Sequence, residues 1–205
     1  ASESSDGKAS AEMWKSAGAK ETAILDLADP KKGVAQVEKA SLIWIPGGDQ
    51  GRLMEKLAGT GVPEAIRKRF EAGAVVGGTS AGAAVMSKTM IAGPGDAKGL
   101  HKGAAKFAEG LGLWPEVMVD QHFVARDRFA RLYSAVLEKP ALLGVGIDES
   151  TAVIVKGASI EVIGRSNVVL IDARKAKISM KEGEPPSATG VATHILKPGD
   201  TFEIK

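Results

Sequence analysis

Residues 74–87 read AVVGGTSAGAAVMS: a short apolar run, a serine between glycines, and a run of small residues. The continuous apolar stretch at 74–76 predicts a strand buried in a sheet. The stretch at 81–87 predicts a helix that follows at once. Between them, Gly78-Thr79-Ser80-Ala81-Gly82 fits G-x-S-x-G, a sharp strand-to-helix turn that lifts a serine hydroxyl out of a sheet. Only small neighbours allow so tight a turn. The amide of Ala81 then sits at a helix N-terminus and is a candidate oxyanion donor, with Gly47 or Gly48 as the second. Such a turn can also simply pack helix on strand or hold a phosphate. No G-K-[ST] ending follows, which argues against a phosphate loop.

Outward from this stretch, residues 41–45 (SLIWI) form a second apolar run and predict a strand buried on both faces, ended by Pro46-Gly47-Gly48. Further strands are expected at 22–27, 117–119 and 142–147. Two or three more are expected over 151–171, and one or two over 191–204. Helices are expected at 9–17, 34–40, 53–57, 63–71 and 125–138. Residues 1–8, 91–103 and 183–188 read as loops. Apolar strands alternating with helices predict an α/β fold, with a mainly parallel sheet covered on both faces and antiparallel additions later in the chain. The chain, 205 residues long, suits a single domain and shows neither an internal repeat nor a linker.

In open α/β sheets, ligands bind beyond the carboxyl ends of the strands. Four predicted strands here end in reactive groups: Gly47-Gly48-Asp49-Gln50, Thr79-Ser80, Asp120-Gln121-His122 and Asp148-Glu149-Ser150. A serine nucleophile needs a base, and the base needs an orienting acid. His122 follows a buried strand and should share the edge with Ser80. His101 lies in a glycine-rich loop and His194 in an alternating terminal segment, where a structural role is expected. Glu149, Asp148 and Asp120 are all candidates for the acid, although Asp120 is awkwardly close to His122 in sequence. The order Ser, His, acid differs from the Ser, acid, His order of α/β-hydrolases.

Composition narrows the function further. Net charge is +2, and no basic stripe interleaves with aromatics, so a nucleic-acid partner is not expected. No apolar run approaches 18 residues, so no transmembrane helix and no membrane partner are expected. No signal peptide is visible, and the compartment, cytoplasm or exterior, stays open. Cysteine is absent, which excludes disulfides, cysteine-ligated zinc and a cysteine nucleophile. The three histidines lack the spacing of a metal site, and no cofactor is expected.

Taken together, GGDQ (47–50), GGTSAGAAVMS (77–87), DQHF (120–123) with its following arginine, GIDES (146–150) and the closing LKPGDTFEIK (196–205) resemble peptidase family S51. The resemblance runs from about residue 4 to the C-terminus. It implies a flavodoxin-like three-layer sandwich, related to class I glutamine amidotransferases but with serine in place of cysteine. It implies Ser80 as nucleophile, His122 as base, Glu149 as orienting acid, and substrate contacts from Gln50, Asp120, Gln121, Arg126 and Arg131. Within the family the resemblance is to the branch that cuts cyanophycin, a poly-aspartate carrying arginine on β-linked amides, into β-aspartyl-arginine dipeptides. A sister branch consists of aspartyl dipeptidases. A homodimer is also implied. Family members begin with a strand and a glycine-rich turn ahead of the point where this sequence starts. An N-terminally incomplete domain is therefore expected, and a non-catalytic binding remnant is a third alternative.

The arginines after His122 can be placed by helical projection. On a helix over 125–138 the apolar stripe is Phe129, Leu132, Tyr133, Val136 and Leu137. Arg126 then projects near the inward stripe, where a substrate carboxylate would explain its charge. Arg131 projects to the opposite side, where a solvated or interfacial arginine is the plain reading. Arg128 lies on the flank, with no role assigned.

Overall fold

The structure, a computed structural model, describes residues 7–93, 95 and 99–204. In chain order the elements are α1 (Lys8–Ser16), α2 (Pro30–Lys39), β1 (Leu42–Ile45), α3 (Gln50–Leu57), α4 (Val62–Glu71), β2 (Val75–Gly78), α5 (Ala81–Ala84), β3 (Thr89–Ala92), β4 (Lys106–Glu109) and β5 (Val117–Gln121). There follow α6 (Phe129–Glu138), β6 (Leu143–Ile147), β7 (Thr151–Lys156), β8 (Ser159–Gly164), β9 (Val168–Asp172), β10 (Lys177–Ser179), β11 (Ser187–Thr189), β12 (Ala192–Leu196) and β13 (Thr201–Glu203).

Helix starts follow local chemistry. Asp29 caps α2 by accepting from the Lys32 amide at 3.2 Å, with Pro30 in the first turn. Asp49 caps α3 by accepting from the Arg52 amide at 2.8 Å. Both helices therefore begin earlier than their apolar residues alone suggest.

The central sheet has the order β12-β9-β6-β5. Strand β6, LGVGI, is buried along its whole length. Its two glycines face one side, where a Cβ on Gly144 would lie 2.6 Å from Val136 and one on Gly146 would lie 2.5 Å from the Phe123 ring. Helix α6 and Phe123 press directly onto the strand there. On that side Met118, Leu132, Val136, Val169 and Ile171 form one core, and on the other Val119, Val145, Ile160 and Leu170 form a second. A third core joins α2, α3 and α4 to Ile45, Val85 and Met90.

The α/β class agrees with the sequence, but the sheets are mixed rather than mainly parallel. Among the named pairings only β1 with β2 and β5 with β6 run parallel. The rest are antiparallel. Strands β3 and β4 form a hairpin where much of the sequence reads as loop. Of the expected 91–103 loop, residues 94 and 96–98 lie outside the described residues, as do residues 1–6 of the expected N-terminal loop.

The segment 22–27 is not a strand. The Gln36 side chain satisfies its backbone instead, donating to Ile24 O at 3.0 Å and accepting from the Asp26 amide at 2.9 Å. Nor are the two apolar runs near the serine buried on both faces. In β1 only Ile45 is buried, Leu42 is exposed, and in β2 Val75 is 61% exposed. Helix α5 is one turn long, after which Ser87 bridges to Trp114.

Candidate active site

Ser80 sits between β2 and α5 at φ 54°, ψ −113°, a backbone conformation that side chains rarely adopt. Its surroundings require the glycines of the motif. A Cβ on Gly82 would lie 1.9 Å from Ile45 O, and one on Gly78 would lie 2.5 Å from the Gly82 backbone. The short helix thus rests directly on β1 and β2. Gly47 lies against the serine as well, since its Cβ would stand 3.9 Å from Ser80 Oγ. The amides of Gly82 and Ala83 bond back to Thr79 O and Ser80 O at 2.9 and 3.0 Å. Among the described residues no backbone bond outside the helices and strands takes the Ala81 amide, and Gly47 lies against the serine.

His122 follows β5 and also has positive φ, 52°. Its Nε2 lies 3.0 Å from Ser80 Oγ and its Nδ1 lies 2.9 Å from Glu149 Oε1. A carboxylate can only accept from Nδ1–H, so Nε2 is left to accept the serine proton. The His122 side chain is 23% exposed and that of Glu149 58%, so the acid reaches the imidazole from the solvent side. Of the three candidate acids, Glu149 alone bonds to the ring among the described residues. Asp148 accepts from the amides of Val124 and Ala125 and from Ser166 Oγ.

The arginines stand differently from the helical projection. Residues 125–128 form a turn, with Asp127 at φ 51°, and α6 starts at Phe129. Arg126 is exposed, not inward. Arg131 is 1% exposed, and its guanidinium grips Asp120, also 1% exposed, through Nε to Oδ2 at 3.0 Å and a second bond to Oδ1. It also donates to Gly93 O at 3.1 Å. The error has a physical source. The buried face of α6 is Arg131, Leu132, Ser134, Ala135, Val136 and Leu137, and its close approach to β6 is made by Leu132 and Val136 over Gly144. Large Phe129 and Tyr133 lie further out. Asp120 and Arg131 are thus enclosed and satisfy each other, a different place from the substrate-contacting one expected for them.

Gln121 and Arg128 are half-buried. Arg128 donates to Gln121 O and Gln121 Oε1 at 2.5 and 2.8 Å and reaches Asp120 at 3.4 Å. Burial, then the neighbouring Arg131 charge, push its guanidinium below its ordinary pKa against the pull of Asp120. Arg128, Arg131 and Asp120 together carry one excess positive charge. Arg128 had no role in the sequence, and only its three-residue spacing from Arg131 could have marked it. Gln50, first in α3, is buried and donates to Ile91 O at 2.9 Å. His101 is half-buried, with its ring against Lys102 O, and the His194 ring packs on Phe202. Among the described residues no cluster of His, Cys, Asp or Glu could hold a metal ion.

Comparison with known proteins decides the family. Peptidase family S51 matches residues 7–163. This chain belongs to that family. Cyanophycinase of Geminocystis herdmanii is 42% identical, over 92% of this chain and 73% of its own length. Cyanophycinase of a Nostoc species is 39% identical, over 94% and 68%. Among solved structures, a peptidase from an acI-B1 actinobacterium superposes with TM-score 0.61 at 25% identity, covering 98% of this chain and 79% of that one. The S51 chain described here is a serine-type hydrolase with an α/β peptidase fold.

Proposed function

We propose that this S51 chain is a serine exopeptidase that degrades cyanophycin to β-aspartyl-arginine dipeptides. The observation that carries the chemistry is His122 placed between Ser80 Oγ and Glu149 Oε1 at 3.0 and 2.9 Å. In this reading Ser80 attacks the aspartyl carbonyl while His122 Nε2 takes its proton. The amides of Ala81 and Gly48 hold the oxyanion. His122 then returns the proton to the leaving amine, and water releases the acyl group. Glu149 keeps Nδ1 protonated and stabilises the imidazolium. The likeness to named cyanophycinases supports the substrate. So does the excess positive charge at Arg128, which suits the free carboxylates of the amide-linked arginines. No cofactor enters these steps.

The finer fold assignment belongs to the same reading. Two parallel pairs, β1–β2 and β5–β6, with α5 packed between them support a flavodoxin-like layering in one hydrolytic domain. The homodimer implied by the resemblance is part of the same proposal. The test is incubation with purified cyanophycin and mass spectrometry of the soluble products. Release of β-aspartyl-arginine by the native chain and none by Ser80→Ala is the expected result. Cleavage of aspartyl dipeptides with the polymer left intact would move the assignment to the dipeptidase branch.

A further inference from the structure

We propose that Asp148 is the positioning residue that fixes His122 against Glu149, a role resting on the Ser80–His122–Glu149 reading. His122 sits at φ 52°, so something must hold the chain on either side of it. Before it lies β5, in register with β6. After it, three successive amides run onto the end of β6: Phe123 N–H donates to Ile147 O at 3.2 Å, and those of Val124 and Ala125 donate to Asp148 Oδ1 at 3.2 and 3.0 Å. The next residue of that same strand end is Glu149. One carboxylate therefore ties the turn behind the base to the stem of the acid.

The other oxygen is held in turn. Asp148 Oδ2 accepts from Ser166 Oγ at 2.8 Å, and the Asp148 amide donates to Asn167 O at 3.3 Å. Ser166 N donates to Thr151 Oγ1 at 2.9 Å, and Thr151 Oγ1 donates to Glu149 O at 3.1 Å. The loop between β8 and β9 thus braces both Asp148 and the Glu149 backbone. Phe123, seated against Gly146, pins the same turn from below. Burial would raise the Asp148 carboxyl, but its bonds from Ala125, Ser166, Glu149 and Val124 outweigh that and hold it below its ordinary value.

Two assays of the full chain test this: labelling of Ser80 by a fluorophosphonate, and turnover of cyanophycin. Asp148→Ala should slow the labelling step and lower kcat by about 10²-fold, the scale of an ångström-sized misplacement, with KM unchanged. Asp148→Asn keeps an oxygen for the two amides, and its NH2 can donate to Ser166, so it should recover at least a tenth of the native rate. Asp148→Glu keeps the charge but displaces the oxygens by about one bond length. It should lose rate as Asp148→Ala does, and it decides the matter if the alanine variant does not fold. Native labelling and kcat in Asp148→Glu, an effect on KM alone, or an asparagine variant no better than alanine would each overturn the proposal. Labelling that persists in Ser80→Ala would instead overturn the site reading beneath it.

Discussion

The two halves of the proposed catalytic arrangement are supported very differently. His122 and Glu149 leave the ends of β5 and β6, the edge strand and its inner neighbour in a four-stranded sheet with apolar cores on both faces. Ser80 leaves the end of β2, which pairs only with β1 among the described strands and leaves Val75 61% exposed. The base is held by burial and by a web of bonds around Asp148. The nucleophile is held by contact between small groups, Gly78 on Gly82 and Gly82 on Ile45. A well-packed sheet resists displacement, because shifting one side chain disturbs many others. A two-stranded ribbon has fewer neighbours to disturb. Alignment of Ser80 with His122 is therefore more vulnerable from the serine side.

The sharpest break is removal of the reacting groups themselves. Ser80→Ala and His122→Ala should each lower turnover by about 10⁴-fold, with stability unchanged, because the members act as a unit. Progress curves over a range of enzyme concentration give the rates, and thermal melting gives the stability. A Ser80→Ala protein that keeps a tenth of the native rate would end the reading of Ser80 as nucleophile.

Next in size is the buried pair beside the base. Arg131→Met leaves Asp120 enclosed without its two-point partner, a change that costs about 3–5 kcal/mol. For a chain of this length that lowers Tm by roughly 10 °C. Removing both charges, with Asp120→Asn added, should restore part of the loss. Arg126→Met, on the exposed turn, should leave Tm alone. If Arg131 met substrate instead, its variant would raise KM and leave Tm within about 2 °C of native, less than one kcal/mol on that scale.

Much of the site was legible before the structure. Ser80, His122 and Glu149 each follow an apolar strand, and the carboxyl-edge rule brings such ends together. The arginines were not legible, because a helical wheel weighs side-chain size and hydrophobicity. It ranked Phe129 and Tyr133 as core and passed over Arg131, Ser134 and Ala135, all of which are buried. A buried arginine can be recognised only with its counter-ion, and Asp120 lies eleven residues away on another element. The segment 22–27 failed for a related reason. It has strand composition, but the Gln36 amide occupies its backbone groups, a long-range contact invisible to local pattern. The burial of 41–45 and 74–76 was over-read: apolar runs report what a strand can bury, not what lies beside it.

The smallest expected effect sharpens the contrast between ribbon and sheet. Val75 in β2 and Val145 in β6 are the same residue type in strands that run into the site. Val145 is fully buried and Val75 is 61% exposed. Replacing each by threonine swaps a methyl for a hydroxyl of almost the same shape, so the cost reads burial rather than size. At Val145 the hydroxyl goes into an apolar core, and a buried hydroxyl without a partner costs about 1–3 kcal/mol in proteins. At Val75 the hydroxyl stays in water, threonine suits a strand, and the change should lie within about 0.5 kcal/mol of neutral. Urea melts of the two variants, with midpoints compared at equal slope, measure the difference. Equal losses at both positions would mean that Val75 is covered in solution, and the ribbon carrying Ser80 would then be no weaker than the sheet carrying His122.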